Sequence, residues 1–260
     1  MQKIGEMKVC LIGSGNLATQ LGIALFKKGH EIVQVWSRTA GNAMDLAVQL
    51  NCQYTNEISL INTDSDIYII SVADKAIEQV LSGHFCGNKL VVHTSGSTPM
   101  ELLSPYCENF GVFYPFQTFS KSKKVDFGTI PICLEANTPQ NLEILKDLAQ
   151  SISKNIQLIN SDQRQQIHLA AVFACNFVNH FYSIGEGLLR EKGIGFDILK
   201  PLIVETAAKI VDHLPKSVQT GPAIRNDKEI IDKHLDFLGN HPDLQILYQQ
   251  ISDRIIQTIN

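Results

Sequence analysis

The opening of the chain limits its folding choices more than any other stretch. The apolar run Val9-Cys10-Leu11-Ile12 enters Gly13-Ser14-Gly15-Asn16-Leu17-Ala18 and leads into Ala24-Leu25-Phe26-Lys27-Lys28. A G-x-G-x-x-G/A turn needs glycine first for the tight bend, glycine second so that backbone can touch a pyrophosphate, and a small third residue where helix meets strand. Ala18 meets the third requirement. The helix that follows directs unpaired N–H groups and about half a positive charge at the turn. Glycine turns between strand and helix are common, but this one has a strand before it, a helix after it and a second strand at Glu31–Trp36. That context makes it a dinucleotide cradle, with Gly13, Ser14, Gly15, Asn16 and Leu17 facing the phosphates.

The end of the second strand selects the nucleotide. An NAD site usually places Asp or Glu there, about twenty residues on, to hold the ribose 2′-hydroxyl. This strand ends Val35-Trp36-Ser37-Arg38-Thr39, without an acid. The hydroxyls of Ser37 and Thr39 and the guanidinium fork of Arg38 suit a 2′-phosphate, so NADP is the expected cofactor. A solvated Arg38 at a helix start is the plainer alternative.

The first 160 residues continue this alternation. Strands are expected at Lys8–Ile12, Glu31–Trp36, Asp66–Ser71, Lys89–His93, Gly111–Tyr114, Ile132–Glu135 and Ile156–Ile159, with a weaker one near Gln53. Helical periodicity falls between them, at Asn16–Lys28, Ala40–Leu50, Lys75–Ser82, Pro99–Leu103 and Pro139–Ile152. After residue 160 strand signals vanish. Ser161 or Asp162 can cap a helix reaching Lys192, with Gly193 as its stop; further helices fit Asp197–His213, Asp227–Leu238 and Pro242–Thr258. The expected fold is α/β: a Rossmann doubly wound parallel sheet over residues 1–160, then an all-α domain over 161–260 for substrate binding and dimerisation.

Composition narrows the partners. Twenty-two Lys and Arg against twenty-six Asp and Glu give a net charge of −4, so no cationic field invites nucleic acid. At 260 residues the chain buries roughly 70 to 75% of its unfolded surface, enough core to dispense with disulfides. Cys10, Cys52, Cys86, Cys107, Cys133 and Cys175 form no C-x-x-C pair and read as small hydrophobes in a reducing cytoplasm. Met1–Lys8 lacks a leader-like apolar stretch. Ile167–Gly185 carries no charged residue, yet His168, Asn176, Asn179 and His180 argue against lipid, and burial in a protein core is expected.

Ligands in this architecture lie beyond the carboxyl ends of the parallel strands. Val72-Ala73 and Thr94-Ser95 follow the fourth and fifth strands; small residues admit the nicotinamide, and the two hydroxyls can bind its carboxamide or a substrate. Asp74 and Ser97 read as helix caps. Tyr114-Pro115-Phe116-Gln117-Thr118-Phe119 shapes a pocket wall or packs the sheet edge. On the long helix His168, Val172, Asn176 and Asn179 share a face. Two readings fit. His168 supplies a proton and Asn176 orients a substrate, or both are satisfied core groups. Arg225 can clamp a carboxylate or pair with Asp227 at a subunit interface, and His234 follows on the next helix.

Gly13–Ala18 with Ser37-Arg38-Thr39 resembles the N-terminal domain of NADP oxidoreductases that include the deazaflavin-coenzyme-dependent type and pyrroline-5-carboxylate reductase. His93-Thr94-Ser95-Gly96, Tyr114–Phe119, His168–Asn176 and Gly221–His234 resemble bacterial proteins that pair such a domain with a C-terminal helical domain of unknown function. The resemblance implies NADP and a helical domain similar to the dimer-forming part of the 6-phosphogluconate dehydrogenase class. The catalytic lysine common on the long helix of hydroxyacid dehydrogenases has no counterpart between His168 and Asn179, and Tyr114 stands where a histidine is expected, so Tyr114–Phe119 receives no catalytic role. The expected activity is NADP-dependent hydride transfer to or from a small carbonyl, imine or hydroxyacid, or a deazaflavin or flavin coenzyme, in a homodimer. The alternative is a non-catalytic NADP(H) sensor.

Overall fold

A computed structural model of the protein describes residues 5–83 and 87–258. The opening run forms β1 (Lys8–Ile12) and passes into α1 (Asn16–Lys27), followed by β2 (Glu31–Trp36), α2 (Ala40–Leu50) and a short β3 (Gln53–Thr55). Then come β4 (Ile67–Ile70), α3 (Ile77–Leu81), β5 (Leu90–His93), β6 (Asn109–Pro115), β7 (Ile132–Ala136), α4 (Pro139–Ile152) and β8 (Ile156–Leu158). One sheet collects all eight strands in the order β3-β2-β1-β4-β5-β6-β7-β8. Its winding direction changes between β1 and β4, which opens the crevice where such sheets bind ligands.

The sheet departs from the wholly parallel expectation at one place: β7 runs antiparallel to β6, and β8 runs parallel to β7. A parallel return needs a crossover, usually helical. The segment 116–131 holds only a 3-10 turn at Phe127–Thr129, so the chain re-enters beside β6 in the opposite sense.

Period-two alternation puts Val9 and Leu11 in the core on one face of the sheet and Cys10 and Ile12 in the core on the other. Helix α1 buries Ala18, Leu21, Gly22 and Leu25, and α2 buries Ala43, Leu46, Ala47 and Leu50, each at i, i+3, i+4, i+7 spacing. Two expected helices shrink. Lys75–Ser82 starts as a 3-10 turn at Asp74–Ala76 before α3, and Pro99–Leu103 is only the 3-10 turn Met100–Leu103.

The long helix comprises α5 (Ser161–Ala171), a π-helical stretch at Val172–Phe177 and α6 (Val178–Arg190), with Gly193 at φ +68° beyond it. Its cap is Asn160, not Ser161 or Asp162: Asn160 accepts from the Gln163 N–H while Gln163 accepts from the Asn160 N–H. Ser161 is engaged elsewhere, donating its hydroxyl to Glu135 and accepting from the Met100 N–H. The chain forms two compact units, Met1–Val178 and Asn179–Asn260, so the division falls inside the long helix instead of near residue 160. Buried contacts tie the first turns of the helix to the sheet.

The helical unit holds α7 (Lys200–Asp212), α8 (Lys228–Phe237) and α9 (Pro242–Gln257). Asp227 caps α8 by accepting from the Ile230 N–H, and His234 Nδ1 lies 2.8 Å from the Tyr248 hydroxyl. Asp227 and Arg225 form no ion pair with each other among the described residues.

Two expectations about burial need correction. Cys10, Cys107 and Cys133 are buried, but Cys52 is half-buried and Cys175 is exposed; Cys86 lies outside the described residues. The uncharged helix is not enclosed by its own chain. Ser161–Arg190 is long and apolar enough to cross a membrane by length and composition, and Phe173 is 62% exposed.

Candidate cofactor and catalytic site

At the crevice between β1 and β4 the glycine turn lies hard against the next strand end. A Cβ on Gly13 would stand 2.3 Å from the Ser71 carbonyl oxygen, and Gly13 adopts φ +126°, so no other residue fits there without strain. The Gly13 N–H donates to the Trp36 carbonyl at 2.7 Å, and Ser14 Oγ donates to Ser37 Oγ at 2.8 Å. These bonds lock the turn to the end of β2. At Gly15 an added Cβ would meet nothing within 4 Å, leaving the approach to the helix start open. Neither a side-chain cap nor an acidic residue occupies the first turn of α1. Its N–H groups thus remain available to an anion.

A cleft of about 770 Å³ opens here, lined by Gly13, Ser14, Gly15, Ser37, Arg38, Thr39, Val72 and Ala73 among others. Its volume falls in the range of cofactor sites. Arg38 is exposed and makes no ion pair among the described residues, so its guanidinium is free for a phosphate. The residues present therefore fit a dinucleotide with an extra phosphate. Asn16 and Leu17 sit at the start of α1, outside the cleft lining, and can contribute backbone N–H groups. Sequence reasoning missed Asn42, Gln79 and Lys121 at the cleft wall. Nothing local marks them, because they come from separate segments of the chain.

Thr94 and Ser95 lie one step from the cleft. Thr94 Oγ1 is 2.9 Å from Ser71 Oγ, a cleft residue, and also donates to the Ile70 carbonyl. Ser95 Oγ donates to Thr98 Oγ1 and accepts from the Ser97 and Thr98 N–H groups, so it holds its own loop together. Asp74 and Ser97 cap no helix; the Ser97 hydroxyl donates to the Asp74 carboxylate and ties the loops after β4 and β5 to each other.

The helix start is fixed by Arg164, which sequence reasoning passed over. Its side chain is fully buried. It donates to the Ser95 and Thr98 carbonyls and to Ser161 Oγ, and it pairs with Glu135 at 2.6 Å. A charged side chain in a first helical turn ordinarily reads as solvated, so burial was not legible.

This anchoring brings His168 to the loop after β5. Its Nδ1 lies 3.2 Å from the Tyr114 hydroxyl, at the end of β6. Gly96 makes room: a Cβ there would stand 2.5 Å from His168 Nδ1 and 2.8 Å from Tyr114 Oη. Burial pushes the Tyr114 phenol up to about 12, with Cys133 adding to the rise and Arg164 opposing it. The phenol therefore stays protonated at neutral pH. Nearby, burial and then the Arg164 charge push His93 down to about 4, so it is neutral; its Nδ1 accepts from the Ser95 N–H. Asn176 is exposed on the π-helical stretch, and the extra residue in that turn takes it off the straight line from His168 that a regular helix would give.

Comparison with known proteins agrees with this geometry. Residues 8–95 match the family described as NADP oxidoreductase, coenzyme F420-dependent, and residues 130–255 match a domain of unknown function, DUF2520. The candidate NADP oxidoreductase BF3122 of Bacteroides fragilis, a crystal structure, is 42% identical with a TM-score of 0.93, covering 98% of this chain and 99% of that one. This chain belongs to the same family. As a member of that NADP oxidoreductase family it shares its fold with more distant structures. Protein TM1727 of Thermotoga maritima is 21% identical with a TM-score of 0.80, covering 96% of this chain and 99% of that one. A reductive aminase of Aspergillus terreus, solved with NADPH and ethyl-5-oxohexanoate, is 14% identical with a TM-score of 0.72, covering 98% and 95%. No curated protein matches the sequence.

Proposed function

We propose that the protein binds NADP(H) in the cleft at Gly13–Gly15 and catalyses hydride transfer to or from a small carbonyl, imine or hydroxyacid compound, or a deazaflavin or flavin coenzyme. The observation that carries this reading is the single cleft that collects the glycine turn, Ser37-Arg38-Thr39 and Val72-Ala73 at the switch point of the sheet. Arg38, Ser37 and Thr39 hold the 2′-phosphate, and the N–H groups of Gly15, Asn16 and Leu17 face the pyrophosphate. The nicotinamide, when bound, supplies or receives the hydride.

Reduction also needs a proton, and His168 holds it. In the protonated imidazole Nδ1–H donates to the Tyr114 hydroxyl oxygen 3.2 Å away, which fixes the ring and leaves Nε2–H to deliver the proton. Thr94 steadies the nicotinamide end through Ser71. The family's solved relatives and the reductive aminase fold support the reaction class. The molecule works as a cytoplasmic homodimer whose second copy covers the exposed apolar face of the long helix.

The test is turnover of NADPH on a panel of carbonyl and imine compounds. His168→Ala is expected to lose about 10²- to 10⁴-fold in kcat with cofactor binding retained. Unchanged turnover would remove His168 from the reaction, and cofactor binding without turnover of any compound would favour the sensor. For the phosphate clamp, Arg38→Ala should lower the NADP-to-NAD affinity ratio about ten- to a hundredfold by titration.

A further inference from the structure

The segment after β6 places a cation at the cofactor cleft by a specific attachment. Lys121 lines the cleft together with Gly13, Ser14 and Gly15. It is solvent-exposed and forms no ion pair among the described residues. What holds it there is Gln20 of α1, which is 7% exposed. A buried amide must find partners. Gln20 Nε2 donates to the carbonyls of Ser120 at 2.8 Å and Lys123 at 3.1 Å, gripping the backbone on both sides of Lys121.

The two feet of the segment are fastened as well. Phe119 and Phe127 stack with ring centroids 5.8 Å apart, Phe127 is buried, and Val125 packs on the same core. Asp126 accepts from the Gly128 N–H, so the one carboxylate in the segment is committed to its own turn. Lys121 and Lys124 both border a second cavity, of about 450 Å³, but Lys124 does not line the cofactor cleft. Of the basic residues in this run, Lys121 is the one at the cleft.

We propose that residues 120–126 form a fixed strap that presents Lys121 to the pyrophosphate of the dinucleotide, with Gln20 as its positioning residue. This rests on the cofactor assignment given above. A pyrophosphate carries charge that the helix start neutralises only in part, and an ammonium beside the glycine turn offsets more of it. Arg38 and Lys121 then divide the work. Arg38 reads the phosphate that distinguishes NADP from NAD, and Lys121 binds the part the two share.

The experiment is fluorescence titration of the full-length protein with NADPH and NADH at low and moderate salt. Lys121→Ala should weaken both cofactors about tenfold and flatten the salt dependence, because a charge-assisted contact is lost. Lys124→Ala should bind like the wild type. Gln20→Leu should weaken both cofactors several-fold and speed tryptic cleavage within 120–126 in the cofactor-free protein, which separates a loosened strap from a damaged cleft. Wild-type affinity and salt slope in Lys121→Ala, or a loss confined to NADPH, would overturn the strap. If the wild type bound neither cofactor, the cofactor assignment itself would fall with it; loss of NADPH selectivity in Arg38→Ala together with wild-type binding in Lys121→Ala would leave that assignment standing and remove the strap.

Discussion

Val9, Leu11, Leu21 and Phe113 in the sheet unit are wholly shielded from solvent, whereas Val211, Leu214 and Phe237 in the helical unit are 80%, 79% and 83% exposed. Among the described residues the buried hydrophobics past residue 178 are Ala223, Ile231 and Leu238. Both units draw on similar apolar residues, yet only the sheet gives each strand two faces on which to lay helices. The helices of the second unit have more apolar surface than they bury within their own chain. Apolar patches of that kind mark surfaces that bind another molecule. One unit thus covers its apolar side chains itself, and the other leaves many of its own exposed.

The strongest way to break this comparison is to charge the exposed face. Val204 and Val211 lie seven residues apart on α7, hence on one side of it. Sedimentation should find the wild type dimeric at micromolar concentration. Val204→Asp with Val211→Asp should weaken association by more than about 10⁴-fold, since each uncompensated charge in an interface costs roughly 3 to 5 kcal/mol. A monomeric wild type would mean that the helical unit tolerates its exposed side chains unaided.

A second change probes the sheet unit from inside. Arg164→Met removes the cation but leaves Glu135 half-enclosed beside Ser161, and denaturant unfolding should show a loss of about 3 to 5 kcal/mol. A loss below about 1 kcal/mol would show that the helix start is held by its apolar contacts alone.

The smallest effect is in pH. His93 is held near 4 when folded against an ordinary 6.5, so the unfolded chain binds the proton first as pH falls. Stability is complete above about 6.5 and declines toward 4; between pH 7 and pH 5 the loss from His93 is on the order of 2 kcal/mol. Burial lowers His30 in the same direction, so the contrast between wild type and His93→Gln isolates the one group. Melting temperatures at the two pH values should lie closer together in the variant.

How far the sequence could be read follows from the range of the forces involved. Gly13 was legible because only glycine fits its backbone angle and the nearby Ser71 carbonyl. The place of Ser37-Arg38-Thr39 at the cleft was legible because these residues directly follow a strand end. Tyr114 was set aside because it stands where a histidine was expected, and its pairing with His168, 54 residues away, has no local pattern to announce it. The Asn160 cap was displaced onto Ser161 for a related reason: Ser161 is a good capping residue that tertiary contacts with Glu135 had already claimed. The π-helical stretch left no mark in the periodicity. Exposure of the long helix was equally invisible, since hydrophobicity tells which residues seek cover and not which chain provides it.

One strand's direction has a further result. Had β7 run alongside its neighbour in the common sense, the chain leaving Pro115 would have had to travel to the opposite edge of the sheet before returning. Because Ile132 re-enters beside Pro115, the whole of 116–131 begins and ends at the rim where Lys121 lines the cleft. A single reversal in topology thus turns what would have been a connecting helix on the flank into material available at the mouth of the binding site. Variation in charge at its exposed positions can retune the mouth while Phe119, Val125 and Phe127 keep their places at the core.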